Sequence, residues 1–129
     1  MKFAAWSSLA IGCLMLMQWG FFLATGSVPE VRTEPVALAF HLAAEAATAI
    51  TLLAAGWMLV RRRGGIVLGL VAHGMLIYTV IVSPCYFAQL GQWPIVGMFA
   101  SLLVVSIVSV IKLADELHAT GLAPDYTKP

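Results

Sequence analysis

Charge is the scarcest property of this chain. Of 129 residues only seven are Lys or Arg and six are Asp or Glu, 10% in all, where soluble domains carry about 25%. No basic face can form to neutralise phosphates, which argues against a nucleic-acid partner. Cysteine is as sparse. Cys13 falls inside one apolar run and Cys85 at the end of another. They sit at different depths, and a disulfide needs Cα atoms within about 7 Å, so no internal bridge is expected. The chain has no CxxC pair, no glycine-rich phosphate loop, no Ser-His-Asp pattern and no internal repeat. What it has is apolar: 61% of residues are hydrophobic and the mean hydropathy is +0.96. That is the composition of a membrane protein, with length for one helical bundle and no second domain.

Four apolar runs carry the chain. The first extends from Phe3 to Thr25. A bilayer span needs about 20 residues, whereas a signal peptide's apolar core has roughly 7–15, so this run reads as a retained span. Ala10-Ile11-Gly12-Cys13 faintly resembles a lipoprotein cleavage box, but apolar residues continue well past Cys13. A polar connector, Gly26 to Pro35, is broken by Pro29 and Pro35. The second run is Val36 to Val60, closed by Arg61-Arg62-Arg63. Gly64-Gly65 turns the chain into a third run, which Pro84 stops. Tyr86, Phe87 and Trp93 then read as an interfacial aromatic belt. The fourth run is Ile95 to Leu113. Beyond it lies a solvated tail, 114–129, with Asp115, Glu116 and His118 in its helical first part and Gly121 and Pro124 ending the helix. The predicted fold is all-α: a four-transmembrane-helix bundle, antiparallel and up-down-up-down, with spans at about 3–25, 36–60, 65–83 and 95–113.

Orientation follows from the few cations. With the amino terminus cytoplasmic, the inside holds Lys2, Arg61, Arg62, Arg63, Lys112 and Lys128, and the outside holds Arg32 alone. Six against one is a positive-inside pattern. It predicts a multi-pass protein of a bacterial inner membrane with both termini cytoplasmic and the lipid bilayer as its first partner.

Lipid is as apolar as leucine, so small residues and buried polar contacts must join the helices. Gly65, Gly69 and His73 form one stripe at steps of four. Gly97 and Ser101, with Ser109 further along, offer a second. The Val36–Val60 run is rich in alanine, with Ala43, Ala46, Ala47, Ala49, Ala54 and Ala55.

One acid stands where an acid is costly. Glu45 lies inside the second run, and His41 is one turn away on the same face. A carboxylate near the bilayer centre costs on the order of 3 kcal/mol by insertion scales, so it normally faces the bundle or a wet cavity. By 1.5 Å per residue from the outer ends, Glu45 lies about 12 Å deep and Gln18 about 10 Å deep. Gln18 and Trp19 are therefore candidate hydrogen-bond donors to it. His73 is level with Glu45 by the outer-end count and some 8 Å lower by the inner-end count. The candidate ligand or proton site comprises His41, Glu45, His73, Gln18 and Trp19. Two readings stand side by side: a neutral, hydrogen-bonded glutamic acid that holds helices together, and a group that binds a ligand or carries a proton. His41, Glu45 and His73 are chemically suited to a metal, but the spacing is not the Glu-x-x-His of di-iron bundles. No metal is expected, and the identity of any cofactor is left open by the sequence.

The stretch Phe40-His41-Leu42-Ala43-Ala44-Glu45 through Arg63, then Gly64 to Val82, resembles the small four-helix bacterial membrane proteins called DoxX-like. They share a polar loop after the first span, an interior acid in the second and a short basic turn before the third. Tyr78 to Pro94 is similar to a motif of uncharacterised bacterial membrane proteins. The resemblance implies a role carried over only for Glu45. It also implies an accessory function, since some DoxX-like proteins are subunits of quinone-linked oxidoreductases. The leading expectation is a binding or accessory subunit, alone, as a homodimer or in a larger membrane complex. It would hold a small ligand or redox partner in an outward-facing pocket around Glu45. A small homo-oligomeric transporter or proton pathway with Glu45 titrating is the second expectation. A membrane enzyme using His41 and Glu45 as an acid–base pair is the third.

Overall fold

A computed structural model describes residues 1–26, 28, 30–61 and 64–121. All its regular structure is helical: α1 (Lys2–Thr25), α2 (Glu30–Thr33), α3 (Pro35–Val60), α4 (Ile66–Val82), α5 (Pro84–Gln89) and α6 (Trp93–Ala119). No strand occurs among the described residues. Four helical stretches are long and apolar enough to cross a membrane: α1, α3, α4 continued by α5 as Ile66–Gln89, and α6. At 24 to 27 residues each, they measure roughly 36–40 Å, against a hydrocarbon thickness of about 30 Å.

The boundaries follow local chemistry. Gly26 closes α1 in the left-handed conformation, φ 65°, its N–H turned back to the last carbonyls of the helix. Pro35 occupies the first turn of α3, where its missing N–H has no helical partner to lose. Gly64, also at φ 65°, turns the chain between α3 and α4. Pro84 does end the preceding helix, but it then opens α5, because proline is as well suited to a first turn as it is unsuited to an interior. The apolar-aromatic segment after Pro84 is therefore helical at its start. The fourth helix begins at Trp93 and runs on through Ala119, longer at both ends than the apolar run 95–113. Arg62, Arg63, Pro29, Pro124 and Lys128 lie outside the described residues.

The long helices form a ring. α1 packs on α3, α3 on α4 and α4 on α6, and α6 returns to α1. α5 lies against α6. Glycine sets the closest approaches. A Cβ on Gly12 would lie 2.9 Å from the Ala49 carbonyl, and one on Gly56 would lie 2.9 Å from the Ala5 carbonyl. Gly65 abuts the Leu59 backbone, and Gly69 abuts Leu113. The Gly65–Gly69–His73 stripe is thus buried, as its spacing predicts. The Gly97–Ser101 stripe is not: both residues are exposed, and a Cβ on Gly97 would meet nothing within 4 Å. Of that face only Ser109 is buried, with Ser106. On α3, Ala49 and Ala55 are fully enclosed while Ala43, Ala47 and Ala54 are exposed. Two apolar clusters fill the interior. One gathers Ile11, Met15, Leu52, Leu76 and Phe99, and the other gathers Ala5, Leu59, Ile66 and Leu113.

Candidate functional site

The helices separate at one end around an open-sided cavity of about 670 Å³. α1 contributes Gln18, Trp19 and Phe22, and α3 contributes Leu38, His41 and Glu45. α4 adds Leu76, Thr79 and Val80, and Phe87 and Phe99 close the far side from α5 and α6. The volume lies within the range that holds drug-sized ligands, mostly apolar with a few polar groups.

Glu45 is the buried acid of this wall, 8% exposed. His41 stands one helical turn before it, with Nε2 3.8 Å from Oε1. That is too long for a hydrogen bond and close enough for an ion pair when the imidazole is protonated. Trp19 lines the same cavity beside the acid. Its indole meets the His41 ring edge-to-face, centroids 5.6 Å apart at 71°, and Phe22 edge-to-face at 6.2 Å. Trp19 therefore packs against the His41 ring. Gln18 lines the cavity beside it. A second cavity of about 600 Å³ lies between α3 and α4. His41, Glu45, Thr79 and Ser83 line both, so the carboxylate belongs to two spaces.

His73 is placed elsewhere. It is fully enclosed, and its Nε2 lies 3.0 Å from the Ser8 hydroxyl oxygen of α1. Ser8 sits 11 positions before Trp19, roughly 16 Å along the helix. The inner-end count, which lowers His73 relative to Glu45, has the right sense, and the two do not form one site. The Ser8 hydroxyl donates to the Ala4 carbonyl at 2.7 Å. Its oxygen is left to accept, so Nε2 carries the ring proton and Nδ1 is a bare acceptor. Nδ1 is the buried side-chain nitrogen or oxygen left without a partner among the described residues. Ser7 and Ser109, 3.1 Å apart, add a further polar contact, between α1 and α6. These groups join helices through buried hydrogen bonds. Among the described residues no three of His, Cys, Asp and Glu gather to hold a metal. The candidate set His41, Glu45 and His73 is thus divided between two levels.

Residues 1–120 match the family described as a domain of unknown function, DUF8058. The chain belongs to this family. The DUF8058 match takes in every long helix and all the residues of the cavity wall. No curated protein and no solved structure matches the chain.

Apart from Trp19, the aromatic lining of this DUF8058 chain was invisible to sequence reasoning. Phe87, expected in an interfacial belt, instead turns inward and stacks on Phe99, centroids 5.8 Å apart at 30°. Trp93 does face outward, 66% exposed, and the Tyr86 side chain lies outside the described ones. Glu34 and Gln92, at the starts of α3 and α6, also line the cavity. The signal that could have found Phe87 is Pro84, read as a helix start. Both thiols, Cys13 and Cys85, are free and exposed.

Proposed function

We propose that this protein is a multi-pass protein of a bacterial inner membrane, and that it binds a small ligand in the cavity around Glu45. In this reading the four long helices cross the bilayer in antiparallel order with both termini cytoplasmic. The cavity faces outward, and the protein serves as a DoxX-like accessory or binding subunit. The contact order supports the antiparallel arrangement: Gly12 meets Ala49, and Gly56 meets Ala5. Large apolar side chains such as Met17, Phe40, Tyr78 and Val104 stand exposed on the outer surface, where only lipid would welcome them.

The observation that carries the binding reading is the pairing of an enclosed acid with open volume. A carboxylate that served only to join helices would be packed by them, as His73 is. Glu45 instead borders about 670 Å³ of cavity, with Trp19 and His41 lining it alongside. Native mass spectrometry of the protein released from membranes tests this. Wild type is expected to carry a small-molecule adduct. Ala37→Trp, an exposed cavity-lining position, is expected to lose it while keeping the fold. An adduct unchanged by Ala37→Trp, or no adduct in any wild-type preparation, overturns the reading.

A further inference from the structure

The geometry points to a lipophilic organic cation as the ligand, reaching Glu45 sideways from the bilayer through the gap between α3 and α4. The inference rests on the reading of the cavity as a ligand site. Its wall carries two acids, Glu45 and Glu34, and no Lys or Arg among the described residues. An anionic ligand would meet like charge, with His41 alone to offset it. A neutral apolar ligand would strand the Glu45 carboxylate away from water, with His41 alone to compensate it, a costly arrangement. A cation resolves both problems. It can sit against the carboxylate, and aromatic faces attract cations most strongly where water is excluded. Trp19 is one such ring, and the stacked pair Phe87 and Phe99 forms the opposite wall.

The ligand must be mostly apolar, because apart from polar groups such as Glu45, His41, Gln18 and Thr79 the wall is largely apolar, with Met15, Leu76, Val80, Phe99 and Leu102. Such molecules concentrate in membranes, and the structure provides a lateral way in. The second space, between α3 and α4, shares His41, Glu45, Thr79 and Ser83 with the cavity. Its outer rim is Tyr78, 71% exposed. Gly74, also exposed, lines the same space, and a Cβ there would meet nothing within 4 Å. The titratable groups that line the two spaces with Glu45 are few: His41 on α3, Glu34 just before α3, and the phenol of Tyr78 on α4.

Tetraphenylphosphonium and tetraphenylborate are matched in shape and opposite in charge, so they separate charge recognition from apolar partitioning. Binding of each to the protein in nanodiscs is measured by equilibrium dialysis against empty discs. Saturable binding of the phosphonium alone is expected, weakened about tenfold or more in Glu45→Gln and retained in Glu45→Asp. Gly74→Trp is expected to slow association and dissociation together, as an obstructed passage must. Equal saturable binding of the borate, or none of the phosphonium, overturns the proposal, as does phosphonium binding unaffected by Glu45→Gln. Association at the wild-type rate in Gly74→Trp overturns the lateral route and the proposal as stated. If the phosphonium is not selected while Ala37→Trp still empties the cavity of its native adduct, the cavity reading survives and the cation fails. If Ala37→Trp changes nothing, both fail.

Discussion

Ser8 and His73 lie 65 residues apart in sequence and meet at 3.0 Å across the bundle interior, joining α1 to α4. The serine hydroxyl is committed to the Ala4 carbonyl, so the imidazole is the donor. This bond reaches across the ring, between helices that share few other contacts.

Loss of Ser8 therefore leaves a buried N–H without an acceptor. Ser8→Ala is expected to destabilise the protein by about 1–2 kcal/mol, the range for polar contacts between helices in lipid. The double variant Ser8→Ala with His73→Leu is expected to recover part of the loss, because it removes donor and acceptor together. Reversible unfolding in mixed detergent and dodecyl sulfate micelles gives both numbers. Equal stability of Ser8→Ala and wild type would show that the bond contributes nothing.

The α1–α3 contact depends on two glycines. Gly12→Ala and Gly56→Ala each place a Cβ within 2.9 Å of a backbone carbonyl, which cannot move as a flexible side chain can. Each is expected to destabilise by about 1–3 kcal/mol. Gly97→Ala is the contrasting case. Space around it is open, and alanine is the better helix former, so a gain of up to about 1 kcal/mol is expected. The same unfolding measurement ranks all three.

The proposed topology predicts which thiol is reached from which side. Cys85 is exposed at the start of α5 and is expected to react with a membrane-impermeant maleimide added to intact spheroplasts. Cys13, exposed in the middle of α1, faces hydrocarbon and is expected to stay unlabelled until the membrane is dissolved. A cysteine placed at Ala119 is expected to label only after permeabilisation. Labelling of position 119 in intact spheroplasts would reverse the orientation.

Trp19 can report on the cavity directly. Trp6, Trp57 and Trp93 are more than half exposed, so replacing all three by Phe leaves a protein whose emission comes from Trp19. Acrylamide is expected to quench that emission in nanodiscs, and tetraphenylphosphonium to protect it. Emission insensitive to acrylamide would mean that water does not enter the cavity.

The long helices were legible because apolar runs of about 20 residues or more admit few other readings. The stripe of Gly65, Gly69 and His73 was legible for the same kind of reason, since a period of four marks one helix face. Gly97 and Ser101 show the limit of that reasoning. Spacing places two small residues on a common face but does not say whether a neighbour covers it, and here none does. The company of Glu45 was partly legible: His41 follows from helical periodicity, and Trp19 from depth. Phe87 was not, because its inward turn depends on Pro84 restarting a helix at a new angle. Nor was the pairing of His73 with Ser8, which is set by how helices pack across the ring and leaves no trace in local pattern.

The close approaches at Gly56, Gly65 and Gly69 gather at the end of the bundle away from the cavity. There backbone touches backbone or bulky leucine, and nothing can slide without a clash. Helices clamped at one end retain freedom only at the other, as the arms of a tuning fork do. The end beside Glu45, where the helices border open volume, is not held by such contacts.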